Sequence, residues 1–152
     1  MEKRLIVLTG IPGSGKSTYA TSFAQQNKNA FIVSSDQIRL ELFGRLDDFS
    51  NEELVFEQFE KLIIEKSLAY NVVIADSSAT TNVRRLSWAD KFRPYFQTLD
   101  LVYFKVSFFK AIKQNKKRTH VVPFKDMIEM KKAFEKPSKE VKNKYDNIII
   151  YR

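Results

Sequence analysis

The sequence of 152 residues predicts a single α/β domain, a parallel sheet of about five strands with helices on both faces. Three observations predict it. Apolar runs of strand length recur along the chain, segments of helical length lie between them, and a glycine-rich turn joins the first run to the first helix. The length suffices for one substantial core and not for two ordinary domains with a linker, so residues 1–152 are expected to form one unit.

Leu5-Ile6-Val7-Leu8 is bounded by Gly10 and carries no polar residue, as expected of a strand buried on both faces. Phe31-Ile32-Val33, Val72-Val73-Ile74-Ala75, the run Leu99 to Phe104 and Ile148-Ile149-Ile150-Tyr151 are four further runs of the same kind. The first helix is expected from the glycine turn to about Gln26, and one follows the second strand if Ser34-Ser35-Asp36 opens it. A longer helix is predicted over 52–69, capped by Ser50 or Asn51, with Val55, Phe59, Leu62 and Ile63 on one face. Further helices are predicted over 83–92, 108–116 and 124–134, the last introduced by Pro123. Trp88 and most phenylalanines are expected in the core.

Composition narrows the function classes. There is no cysteine and a single histidine, His120, which excludes a disulfide framework, a thiolate metal site and a histidine cluster. The apolar run after Met1-Glu2-Lys3-Arg4 is too short for a signal peptide or a membrane span, so the expected place is the cytoplasm, without a membrane. Charge is unevenly spread. Residues 1–76 carry 8 Lys/Arg against 11 Asp/Glu and residues 77–152 carry 18 against 7, which gives −3 and +11. A basic half suits a polyanion such as a nucleotide or a nucleic-acid backbone; a solvated lysine-rich surface is the plain alternative.

Gly10 to Ser17 satisfy the phosphate-loop pattern G-x-x-x-x-G-K-S in full. Gly10, Gly13 and Gly15 let backbone N–H groups converge on phosphate oxygens, with Pro12, Ser14 and Thr18 in the same stretch. Lys16 supplies a cation, Ser17 offers an oxygen to Mg2+, and the helix that follows adds its positive end. The expected ligands are therefore ATP and Mg2+. Asp76 ends the third strand, where such proteins place the carboxylate of the metal shell; capping the next element is the alternative. Asp36 and Arg39 are three apart, so on a helix they share a face, the carboxylate able to take a hydroxyl proton and the guanidinium to hold an anion. A plain N-cap and a surface arginine fit that spacing equally well. Lys113, Lys116, Lys117 and Arg118 form a basic cluster before Pro123, either a lid over a triphosphate or a solvated helix face.

Together these segments resemble the kinase domain of phage-type polynucleotide 5′-hydroxyl kinases and the wider group of small P-loop kinases related to them. The resemblance rests on Gly10 to Thr18, Ser34 to Arg39, the strand ending at Asp76, Arg84-Arg85, Asn115 to Arg118 and Val122-Pro123, and runs from Leu5 to Pro137. It implies a P-loop kinase domain with a basic lid that transfers the γ-phosphate of ATP to a hydroxyl. By the same resemblance Lys16 and Ser17 serve phosphates and metal, Asp36 is the general base, Arg39 grips the acceptor's phosphate and Arg118 is the lid arginine. Two positions depart from the pattern: Gln114 stands where the polynucleotide kinases carry a second lid arginine, and Ala79 where relatives often show Asn. The acceptor implied is the 5′ end of DNA or RNA. A small-molecule kinase for a nucleoside, sugar or antibiotic is the second reading, and a nucleotide-binding module without turnover the third.

Overall fold

A computed structural model describes residues 2–152; Met1, the first residue of the charged N-terminal stretch, lies outside the described residues. Five strands form one sheet: β1 (Arg4–Thr9), β2 (Ala30–Ser34), β3 (Val72–Asp76), β4 (Thr98–Phe104) and β5 (Asn147–Tyr151). They lie in the order β2-β3-β1-β4-β5, and every neighbouring pair is parallel. The register sets Val7 beside Ala75 and Ser34 beside Asp76, so the loops that leave β1, β2 and β3 emerge side by side at the carboxyl edge. That edge is where open parallel sheets bind ligands.

The apolar runs are strands because both their faces are covered. Leu5 and Val7 point into a core shared with Val55, Phe59 and Ile63 of α3 (Glu52–Ser67) and with Trp88, Ala89 and Phe92 of α4 (Asn82–Phe92). Ile6 and Leu8 point the other way, onto Ala20 of α1 (Lys16–Gln26), with Tyr19 and Phe23 packed alongside. This is the period-two alternation of a strand applied to two apolar faces. The remaining helices are α2 (Ser35–Phe43), α5 (Phe108–Asn115), α6 (Phe124–Ala133) and α7 (Lys139–Lys144). Met127 of α6 meets Ala111 of α5 and Ile11 of the glycine loop in a small apolar cluster that seats the lid elements on the sheet.

Each predicted strand and helix is present, with ends shifted by one or two residues. The helix predicted over 52–69 stops at Ser67, and Asn51 rather than Ser50 caps it, its side chain accepting from the Leu54 N–H at 3.1 Å. Leu62 is only half-buried, because the inward face of α3 follows Val55, Phe59, Ile63 and Ser67. Helix α7 and a single 3-10 turn over Arg93–Tyr95 lie beyond what the sequence predicted. Among the described residues no helix is long and apolar enough to cross a membrane.

Candidate active site

The glycine loop turns where only glycine fits. Gly13 has φ 81° and Gly15 φ 103°, in the left-handed region that disfavours side chains. A Cβ on Gly13 would also meet the Ala111 carbonyl oxygen at 2.2 Å, so the loop packs directly on the backbone of α5. Gly15 is the N-cap of α1, and no side chain caps that end, which leaves the first backbone N–H groups of the helix pointing at the site. Thr9 secures the base of the loop: its hydroxyl donates to the Ala79 carbonyl at 2.9 Å and accepts from the guanidinium of the fully buried Arg85 at 3.0 and 3.2 Å.

Lys16 follows, 9% exposed, with Nζ donating to the carbonyls of Gly10 at 2.8 Å and Ile11 at 2.9 Å. An ammonium has three donors, so one remains for a ligand inside the loop. Burial lowers its pKa to about 8; Asp76 and Asp36 act against that, and Arg118 adds to it. Ser17 Oγ donates to Asp76 Oδ2 at 3.0 Å. Burial raises the Asp76 carboxyl above the usual carboxylate range, opposed by Lys16 and Ser17. The pair is a hard, all-oxygen donor set with two protein ligands, which suits Mg2+ because that ion keeps most of its shell for water and phosphate. Among the described residues no group of three or more His, Cys, Asp or Glu side chains is placed to hold a metal ion.

Asp36 and Arg39 sit in α2, where β2 ends. Ser34, not Asp36, is the N-cap, its side chain accepting from the Gln37 N–H, so Asp36 occupies the first turn with its carboxylate free to face the cavity. Arg39 is not a surface residue either: it is 5% exposed. Its Nη1 donates to Asp36 Oδ1 at 2.6 Å, while Nε and Nη2 grip both oxygens of Glu52 at 2.7 and 2.6 Å. Burial pulls the Arg39 pKa down, but the hydrogen bonds and charges of Glu52 and Asp36 outweigh it and hold the guanidinium above its ordinary value. Three of its five N–H donors are used, and two remain. The guanidinium also lies 4.9 Å from the centroid of Phe49, within cation–π range.

Arg118 completes the arrangement from the opposite wall. It lies in the loop after α5, half-buried, with Nη2 3.9 Å from Asp36 Oδ2. Asn115, 3% exposed, clips that loop shut: its Nδ2 donates to the Val122 carbonyl at 2.8 Å and its Oδ1 accepts from the Val122 N–H at 3.1 Å. The lysines of the basic cluster are exposed; Lys117 borders a recess beside Asp36 and Gln114, whereas Lys113 and Lys116 do not border it. One cavity of about 1100 Å3 joins Gly13, Gly15 to Thr18, Asp36, Arg39, Asp76 and Arg118. Gly10 underlies it, with Ser14 Oγ 2.7 Å from where its Cβ would be. The cavity continues past Arg39 to Phe49, Phe56 and Arg84.

The cavity thus brings together Pro12, Gly13, Gly15 to Thr18, Asp36, Arg39, Asp76 and Arg118, whereas Gly10 and Ser14 are buried and do not line it and Lys113 and Lys116 lie outside it. Sequence reasoning missed Glu52, the half-buried partner of Arg39, and gave no role to Asn115, Phe49 or Arg84. Glu52 carried only a helix-start signal, and nothing in its spacing says that α3 begins against α2.

A family model described as an AAA domain matches residues 5–137. Over 94 residues the chain is 36% identical to a protein of Autographa californica nuclear polyhedrosis virus described as a bifunctional polynucleotide kinase/RNA ligase, an overlap covering 52% of this chain and 13% of the viral protein. A solved chain of the Pnkp1/Rnl/Hen1 complex superposes with a TM-score of 0.66 at 27% identity, over 81% of this chain and 41% of that one. A gluconokinase from Sinorhizobium meliloti 1021 shares the fold, with a TM-score of 0.63 at 22% identity over 95% of this chain and 79% of its own. The chain therefore spans a minor part of the viral protein and less than half of the chain from the complex.

Proposed function

The chain belongs to the AAA domain family, and we propose that it is an ATP-dependent kinase that moves the γ-phosphate to the 5′-hydroxyl of DNA or RNA. The observation that carries the reading is the meeting of the phosphate loop with Asp36, Arg39 and Arg118 in one cavity. The viral protein and the Pnkp1 complex, which share sequence with this chain, support a polynucleotide acceptor.

In this reading the amides of residues 13–18 and the third donor of Lys16 hold the β and γ phosphates. Ser17 and Asp76 would hold Mg2+, which would supply charge neutralisation for the phosphates. Asp36 is oriented through Oδ1 by Arg39, so Oδ2 is left to take the proton of the acceptor hydroxyl. The hydroxyl oxygen forms the new bond to the γ-phosphorus, the bond to the β–γ bridging oxygen breaks, and ADP leaves. Arg118 lies within reach of Asp36 and faces the charge that develops on the transferred group. The two unused donors of Arg39 hold the acceptor phosphate nearest the reacting hydroxyl.

The test is the salt dependence of acceptor affinity at saturating ATP and magnesium. An oligonucleotide making about three phosphate contacts predicts a log–log slope near −2, roughly 0.7 per contact, and Arg39→Ala should flatten it by about one contact's share. A flat response of the unsubstituted protein would reject a polyanionic acceptor and leave a kinase of small neutral hydroxyl compounds.

A further inference from the structure

Two arginines line the cavity that the transfer step does not use: Arg45, which is paired with Asp47, and Arg84. Arg84 lines it beyond Arg39, half-buried, with its guanidinium 3.9 Å from the centroid of Phe56 and 5.5 Å from that of Trp88. Both rings lie within cation–π range, so the planar guanidinium is seated on aromatic surface. Those donors have no hydrogen-bond or ion-pair partner among the described residues; only the backbone N–H of Arg84 is engaged, by the Thr81 cap. The two nearest carboxylates act on it from a distance and are committed elsewhere. Glu60 accepts from Trp88 Nε1 and from Lys91, and Glu52 is gripped by Arg39. Burial accordingly depresses the Arg84 pKa, and the attraction of Glu60 and Glu52 does not offset it.

Helix α3 seats both arginines. Glu52, which holds Arg39, and Phe56, which carries Arg84, are four residues apart and share one face of that helix, so the two guanidiniums line the same side of the cavity. Resting on the proposed 5′-hydroxyl acceptor, we infer that Arg84 is a second anion site, which holds the next internucleotide phosphate of a single-stranded acceptor while Arg39 holds the one beside the reacting hydroxyl. The site makes a dinucleotide the smallest fully engaged acceptor. Arg84 is a specificity-determining residue and touches neither ATP nor the reacting atoms.

The test compares two acceptors, a nucleoside 3′-phosphate and a dinucleotide carrying a 3′-phosphate, by KM and kcat at saturating ATP. The unsubstituted protein should show a KM about tenfold lower for the dinucleotide, the effect of one charge-assisted hydrogen-bonded contact. Arg84→Ala should erase that difference and leave the mononucleotide KM, kcat and ATP affinity unchanged. Arg84→Lys keeps a cation on a stem without the planar fork, so it should retain part of the difference, and it decides the question if the alanine variant melts early. A dinucleotide preference that survives in Arg84→Ala, or an equal loss on both acceptors, overturns the inference. Phosphorylation of free sugars but of neither nucleotide acceptor by the unsubstituted protein would instead remove the kinase reading on which it rests.

Discussion

At the scale of single residues, the site is defined by what each charged group has been given and what it still lacks. Asp36 has Oδ1 tied to Arg39 and Oδ2 turned towards Arg118, so one oxygen is fixed and the other is left to work. Asp36→Asn keeps the shape and removes the proton acceptor. Single-turnover transfer should fall by roughly 10² or more while nucleotide affinity stays near that of the parent; parallel loss of both would make Asp36 a structural or metal-shell residue. Lys16 carries a second prediction, because burial lowers its pKa to about 8 from the ordinary 10.5. Below about pH 8 it is charged in the free protein and meets the triphosphate as a cation. Above that value the free protein must take up a proton to bind, so ATP affinity should weaken as pH rises, approaching tenfold per unit, with proton uptake measurable by calorimetry in buffers of different ionisation enthalpy. Affinity independent of pH between 7 and 9.5 would mean that Lys16 stays charged throughout.

At the scale of elements, the parts that matter are two short connections. The loop from α5 to α6 carries Arg118, and Asn115 closes it by pairing with both backbone groups of Val122. Asn115→Ala leaves that N–H and C=O without their partner, at about 1–3 kcal/mol. The loop should then be cut faster by trypsin after Lys117 or Arg118, and turnover should drop while the protein still melts cooperatively. Unchanged turnover in a loop shown to be open would mean that Arg118 needs no fixed position. Much of this level was legible beforehand. The phosphate loop was readable because glycine, lysine and serine at fixed offsets have few other uses, and β3 because an apolar run ending in Asp76 marks both a strand and its edge. The pairing of α2 with α3 was not legible, since the Arg39–Glu52 contact spans thirteen residues with no periodic signal. The buried lattice of Arg85, Thr9 and Asn82 stayed hidden for a related reason, because a fully buried arginine without a carboxylate reads in sequence like any surface arginine. Helix α7 is six residues long and lysine-rich, with Val141 its one buried residue, too short to show a period.

At the scale of the whole molecule, the sheet order explains why residues far apart in sequence share one cavity. With β2, β3 and β1 adjacent and parallel, Asp36, Asp76 and the phosphate loop come from consecutive carboxyl ends, and β4 leads on to α5 and the lid on the other side. The basic half after Asp76 supplies Arg84 and Arg118 to the cavity, whereas the acidic first half supplies Asp36, Glu52 and Asp76. The central claim is the identity of the acceptor hydroxyl, and the most direct measurement is transfer of label from γ-labelled ATP with magnesium, offering a 5′-hydroxyl oligonucleotide beside nucleosides and sugars in equal amounts. The account predicts label on the 5′ end of the oligonucleotide, removable by a phosphatase, absent with Lys16→Ala and reduced at least about 10²-fold with Asp36→Asn. Label appearing on a free nucleoside or sugar in preference to the oligonucleotide would contradict it.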